Sequence, residues 1–139
     1  MRKIILISHG KLSEGMAYSA QMVAGEKDNL SYYGLMPGEL VEDMIADIRA
    51  EIETDPDNQY LVVSDVFGGS VCNGSITLQD LPNVKLATGM NLLLVIQLLF
   101  SDSELTDSEF EELVTSSMDT VKVIHKVTAV GGNDAEDFF

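Results

Sequence analysis

Two continuous apolar runs interrupt an otherwise mixed pattern, and each ends in a chemically active residue followed by glycine. Lys3-Ile4-Ile5-Leu6-Ile7-Ser8 runs into His9-Gly10, and Tyr60-Leu61-Val62-Val63-Ser64 runs into Asp65-Val66-Phe67-Gly68-Gly69-Ser70. Runs of this length, bounded by turn residues, read as strands buried on both faces of a parallel sheet. Between and after them the period lengthens to that of helices. Ser13 caps a helix over 13–24, with Met16, Ala17, Ala20 and Val23 on one face and Gly25 as its stop. Residues 31–35 read as a short strand weakened by Gly34. Pro37-Gly38-Glu39 opens an amphipathic helix in which Val41, Met44, Ile45, Ile48 and Ile52 recur at helical spacing. Residues 55–58 make a turn.

Ser70 then caps a helix over 70–78, residues 80–83 form a loop, and 84–88 the next strand. Residues 91–100 read as a helix apolar nearly all round, which must be covered on more than one side. Thr106-Asp107-Ser108-Glu109 is a capping box that opens a helix with Phe110, Leu113, Val114 and Met118 inward. Residues 121–130 fit either a continuation of that helix or a final strand, and 131–139 a loose tail. This alternation predicts an α/β fold: one domain over 1–130, doubly wound, with a mainly parallel sheet and helices on both faces. No repeat or linker divides it.

In such a sheet, ligand sites gather beyond the carboxyl ends of the strands. His9 and Asp65 share one crevice if their strands are neighbours. A carboxylate on one ring nitrogen would hold the imidazole in a single tautomer and leave the other nitrogen bare. Gly68, Gly69 and Ser70, at a helix start, would offer backbone N–H groups and a hydroxyl to an anion. Together these make a site for a transferable phosphoryl group, which needs positioning and charge stabilisation above all. Taken singly, a histidine after a strand is more often a turn residue, and Asp-x-x-Gly-Gly-Ser can be no more than a helix entry. Spacing alone leaves both readings open. His125, Cys72 and the Tyr32-Tyr33 pair read as structural residues.

Composition narrows the classes. Of 139 residues, 23 are acidic and 8 basic, a net charge of −15, so nucleic acid is excluded as a natural ligand. The acidic surface suits solubility or a basic partner. One cysteine and two histidines exclude a disulfide framework and a Cys/His zinc site. The apolar stretch after Met1-Arg2-Lys3 is too short for a signal peptide, and the run over 92–100 falls short of the about 20 residues that span a bilayer. A soluble, cytoplasmic protein is expected.

The chain resembles the IIA component of the mannose-type (mannose–fructose–sorbose) family of the bacterial phosphoenolpyruvate-dependent sugar phosphotransferase system. The resemblance rests on Ser8-His9-Gly10, Met36-Pro37-Gly38-Glu39, the Asp65 to Ser70 motif followed by Asn73, and Gly89-Met90-Asn91. It implies a strand order of 2-1-3-4, with a fifth, C-terminal strand able to pair across a homodimer. His9 matches the family's phosphoacceptor, charged on Nε2 by the phosphocarrier HPr and discharged to a IIB component. Asp65 matches the carboxylate that orients it, and Ser70 the hydroxyl that contacts the phosphoryl group. No metal or organic cofactor is implied, and sugar choice is expected in the membrane permease subunits. No IIB-like segment follows, so the IIB partner is expected on a separate chain. Val71 and Leu93 stand where relatives often carry proline, at positions expected on the pocket rim. Two alternatives share the fold: the phosphoryl-donor subunit of a dihydroxyacetone kinase, and a non-catalytic regulatory module. Retention of His9, Asp65 and Ser70 argues against the second.

Overall fold

The structure, a computed structural model, describes residues 1–101 and 103–125. Four strands and five helices follow one another as β1 (Arg2–His9), α1 (Leu12–Ala24), β2 (Leu30–Leu35), α2 (Val41–Thr54), β3 (Gln59–Ser64), α3 (Ser70–Ser75, continued by a 3₁₀ turn over Ile76–Asp80), β4 (Val84–Thr88), α4 (Leu92–Phe100) and α5 (Asp107–Met118). The sheet is wholly parallel in the order β2-β1-β3-β4. This is the α/β architecture and strand order the sequence implied.

The central strands are apolar throughout because each of their faces meets a separate core. Ile4, Leu6, Leu61 and Val63 point to one side, where they pack with Ala17, Ala20, the buried face of α4, and Phe110. Ile5, Ile7, Tyr60 and Val62 point to the other, against Met44, Ile45, Ile48, Ile52, Val71 and Leu78. The edge strands β2 and β4 are only half-buried and correspondingly less apolar. The apolar helix α4 buries Leu94, Val95, Ile96, Leu98 and Leu99, while Phe100 reaches solvent. Among the described residues no helix is long and apolar enough to cross a membrane.

Several helix starts lie elsewhere than the sequence suggests, each for a tertiary reason. Ser13 is buried inside α1 rather than capping it. Its N–H donates to Ser8 Oγ at 2.8 Å and its own hydroxyl donates to the Tyr33 carbonyl at 2.9 Å, tying α1 to both β1 and β2. The second helix begins at Val41, because Gly38 adopts φ +86° and Glu39 closes a turn by accepting the Met36 N–H. Ser70 is the first residue of α3, not its cap; Gly69 holds the cap position. Met118 and Val23 face solvent rather than the core, whereas the Thr106/Glu109 capping box forms as expected. Residues 121–125 are neither helix nor strand, and His125 is exposed rather than packed. Residues 126–130 and the tail 131–139 lie outside the described residues, and no fifth strand is present among the described ones. Of the two proline-replacing residues, Val71 is fully buried in the core rather than on a rim, and Leu93 is partly buried.

Gly34 is no weakness in β2 but a requirement of the His9 turn. A Cβ there would collide with the Gly10 carbonyl oxygen, which lies against the strand because the Gly10 N–H donates to Leu35 O at 2.8 Å. Both colliding groups are backbone, so no side chain can yield. Gly34→Ala should destabilise the fold by about 1–3 kcal/mol, the usual range for overpacking. A urea midpoint equal to that of the parent protein would refute this account of Gly34.

Candidate active site

The site forms where β1 and β3 end side by side. Pairing of Ile7 with Ser64 places the residues that follow, His9 and Asp65, at the same edge of the sheet. His9 is the last residue of β1, and Gly10, at φ +57°, turns the chain away immediately after it. Asp65 Oδ2 accepts the His9 backbone N–H at 2.9 Å and lies 2.8 Å from His9 Nδ1. Asp65 Oδ1 accepts the Val66 N–H at 2.9 Å. The Asp65 side chain is 8% exposed and that of His9 49% exposed, so the carboxylate is the recessed support and the ring the accessible part.

Three donors converging on one carboxylate explain its acidity. Burial pushes the Asp65 carboxyl up, but the His9 N–H, the His9 ring and the Val66 N–H together outweigh it and hold the group below its ordinary value. An ionised carboxylate only accepts, so the Nδ1 it faces carries a proton, and in the neutral ring Nε2 is then bare. Ser70 Oγ lies 3.1 Å from Nε2, placed to donate its hydroxyl to the lone pair of that tautomer. Because Ser70 begins α3 instead of capping it, its side chain is free to reach across the crevice.

The glycines shape the crevice. Gly69 N–H donates to the Val66 carbonyl at 3.3 Å. Gly69 also supplies room. A Cβ there would stand 3.5 Å from His9 Cε1 and press on Val66. Gly68 supplies the turn, at φ +80°. Cys72 is buried beneath them; burial pushes its thiol up, but the Gly68 N–H and the Ser64 and Thr88 hydroxyls hold it below the ordinary value. Asn73 belongs to the same motif, but its contact was not legible in sequence. Its Nδ2 donates to the Gly68 carbonyl at 3.2 Å.

The surroundings expose apolar side chains. Leu12 at the start of α1 and Leu40, Val66 and Phe67 on the loops that follow β2 and β3 are exposed, and Lys11 is also exposed beside the His9 turn. Tyr33 lies off the site, donating its hydroxyl to Glu51 at 2.6 Å. Burial and that carboxylate raise its phenol well above the ordinary range. Among the described residues no group of three or more His, Cys, Asp or Glu side chains could hold a metal ion.

Comparison with known proteins agrees with this geometry. A family model described as the PTS system fructose IIA component matches residues 3–118. The chain is 28% identical over 119 residues to the PTS system mannose-specific EIIAB component of Escherichia coli (strain K12), an alignment covering 84% of this chain and 36% of that protein. The chain thus spans little more than a third of the length of such curated relatives. Among solved structures, it is similar to the PTS IIA protein associated with the fucose utilization operon from Streptococcus pneumoniae, with 30% identity, a TM-score of 0.78, and coverage of 88% of this chain and 92% of that one. It is also similar to the mannose/sorbose specific IIA subunit of the phosphotransferase system from Enterococcus faecalis, with 25% identity, a TM-score of 0.83, and coverage of 93% and 98%. With strand order and family match in agreement over most of its length, the chain belongs to the mannose-type IIA family of the sugar phosphotransferase system.

Proposed function

We propose that this chain is a phosphoryl carrier in sugar uptake: His9 takes a phosphoryl group from the phosphocarrier HPr on Nε2 and passes it to a IIB component at the cytoplasmic face of the membrane. The observation that carries this reading is the imidazole bonded at both nitrogens, to a recessed carboxylate through Nδ1 and to a mobile hydroxyl proton through Nε2.

The chemistry follows from that arrangement. As Nε2 attacks, a P–N bond to His9 forms while the donor's P–N bond breaks, and the phosphoryl group changes hands without net proton transfer. The ring keeps its Nδ1 proton and gains positive character, which the Asp65 carboxylate at 2.8 Å stabilises. Ser70 loses its lone-pair acceptor at that moment and can turn its O–H to a phosphoryl oxygen. Positioning and electrostatics suffice, as expected for phosphoryl transfer. The half-exposed ring and the apolar residues around it give a second protein direct access. Incubation with phosphoenolpyruvate, enzyme I and HPr should add one phosphoryl group to the intact mass. No gain in mass under conditions that charge HPr would overturn the reading.

The carrier is proposed to work as a homodimer. Val121, Val123 and Ile124 are 80, 80 and 88% exposed, an apolar burden that a single copy leaves in water. Among the described residues β4 pairs with β3 alone, which leaves its outer edge available to a strand from a second copy. Sedimentation at tens of micromolar, roughly where a micromolar dissociation constant becomes visible, should give a dimer, and Val123→Asp should convert it to monomer. A monomer at that concentration in the parent protein refutes the dimer.

A further inference from the structure

We infer that Asn73 is a positioning residue that clamps the Gly68–Gly69 peptide and thereby keeps both ends of the Asp65–Ser70 loop on the His9 ring. The inference rests on the phosphoryl-carrier reading and identifies what makes that site rigid.

The loop has an unusual mechanical task. Its first residue holds His9 Nδ1 and its last faces Nε2, so the span between Asp65 and Ser70 must match the width of one imidazole. The connecting residues do little to set that span by packing, since Val66 and Phe67 are 54 and 83% exposed. What fixes the loop is backbone bonding, and most of it converges on a few peptides. The Gly68 carbonyl accepts from Asn73 Nδ2 at 3.2 Å. The Asn73 N–H donates to the Gly69 carbonyl at 2.9 Å, and the Gly69 N–H closes back on the Val66 carbonyl at 3.3 Å. The Gly68–Gly69 peptide is thus held at both ends, its carbonyl by the Asn73 side chain and its N–H by the Val66 carbonyl.

The clamp is itself anchored, because Asn73 follows directly on Val71 and Cys72, the buried residues that seat α3 in the fold. Asn73 is exposed and touches the loop from outside, which makes its contribution separable from core packing. Gly68 at φ +80° has no side chain of its own to hold this conformation. Without the clamp the turn can relax, and the ring can then satisfy Asp65 or Ser70 but not both.

The test compares the parent with Asn73→Ala and with Asn73→Asp, which keeps the side chain's shape but not its NH₂ donor. Ring-nitrogen NMR of ¹⁵N-histidine protein reports the His9 tautomer with no partner present, and single-turnover charging from phosphorylated HPr reports transfer. The parent should show Nδ1 protonated and Nε2 bare. Both variants should show the two tautomers exchanging, and should charge about 10- to 100-fold more slowly, as expected for a small misplacement of reacting groups. An Asn73→Ala protein with parental ring signals and a rate within about twofold of the parent would overturn the proposal. Because Asn73 is at the surface, both variants should fold like the parent. A parent protein that never becomes charged would sink the carrier reading, whereas the ring signals would still decide the clamp.

Discussion

A His9→Ala protein should take up no acid-labile phosphoryl group from phosphorylated HPr, a loss of at least about 10³-fold for removal of a reacting atom. The expectation is specific because the alternatives differ in chemistry. The Ser70 hydroxyl remains in the crevice, but a phosphoryl group on oxygen survives acid, whereas one on imidazole nitrogen does not. His125 is exposed, and among the described residues no hydrogen bond or ion pair fixes its tautomer. His125→Ala should therefore charge like the parent. Folding should persist in His9→Ala, since Asp65 keeps the backbone N–H groups of residue 9 and Val66. The lost ring bond to a charged acceptor should cost about 1.5–3 kcal/mol. Acid-labile charging that survives in His9→Ala would place the acceptor elsewhere.

The fold was legible wherever one local signal decided the outcome. Residues 4–7 and 61–63 are apolar because two cores bracket them, and that pattern needs no knowledge of the neighbours. The Thr106/Glu109 box closes on itself within four residues and was equally readable. Helix starts failed as a sequence signal where serine had a tertiary partner. Ser13 and Ser70 are good capping residues by propensity, yet their hydroxyls go to the Tyr33 carbonyl and to the His9 ring. Propensity cannot see a partner 20 or 61 residues away.

The candidate site divides in the same manner. Glycine after a strand and a carboxylate after another mark the crevice, but spacing is silent on whether β1 and β3 adjoin. That adjacency came from the resemblance, and the strand pairing then brings His9, Asp65 and Ser70 within hydrogen-bonding distance. Gly68 and Gly69 were legible as close-approach residues, but sequence does not reveal that the Gly69 N–H meets the Val66 carbonyl. Gly34 looked like a flaw in β2 because its reason lies in another loop, at Gly10.

Asp65→Asn should slow charging of His9 by about 10²–10⁴-fold while leaving the protein folded, the upper bound being that of a carboxylate lost behind a catalytic histidine. The amide has one acceptor oxygen where the carboxylate has two, and all three existing bonds are donated to Asp65. With its oxygen toward His9, the asparagine NH₂ confronts the Val66 N–H. Turned the other way, the NH₂ faces Nδ1, which favours the tautomer with Nδ1 bare and the proton on Nε2, the atom that must attack. Either orientation also removes the negative charge that balances the ring as it is phosphorylated. Stability supplies an independent check. The folded protein holds the Asp65 carboxyl below its ordinary value, so ionised Asp65 stabilises the fold fully above its unfolded value of about 3.9 and progressively less as pH falls through the lower folded value. Parent and Asp65→Asn should therefore differ most in urea midpoint near neutrality and converge below about pH 4. A gap that stays constant into the acid range would show that the carboxylate's charge is not what the site uses.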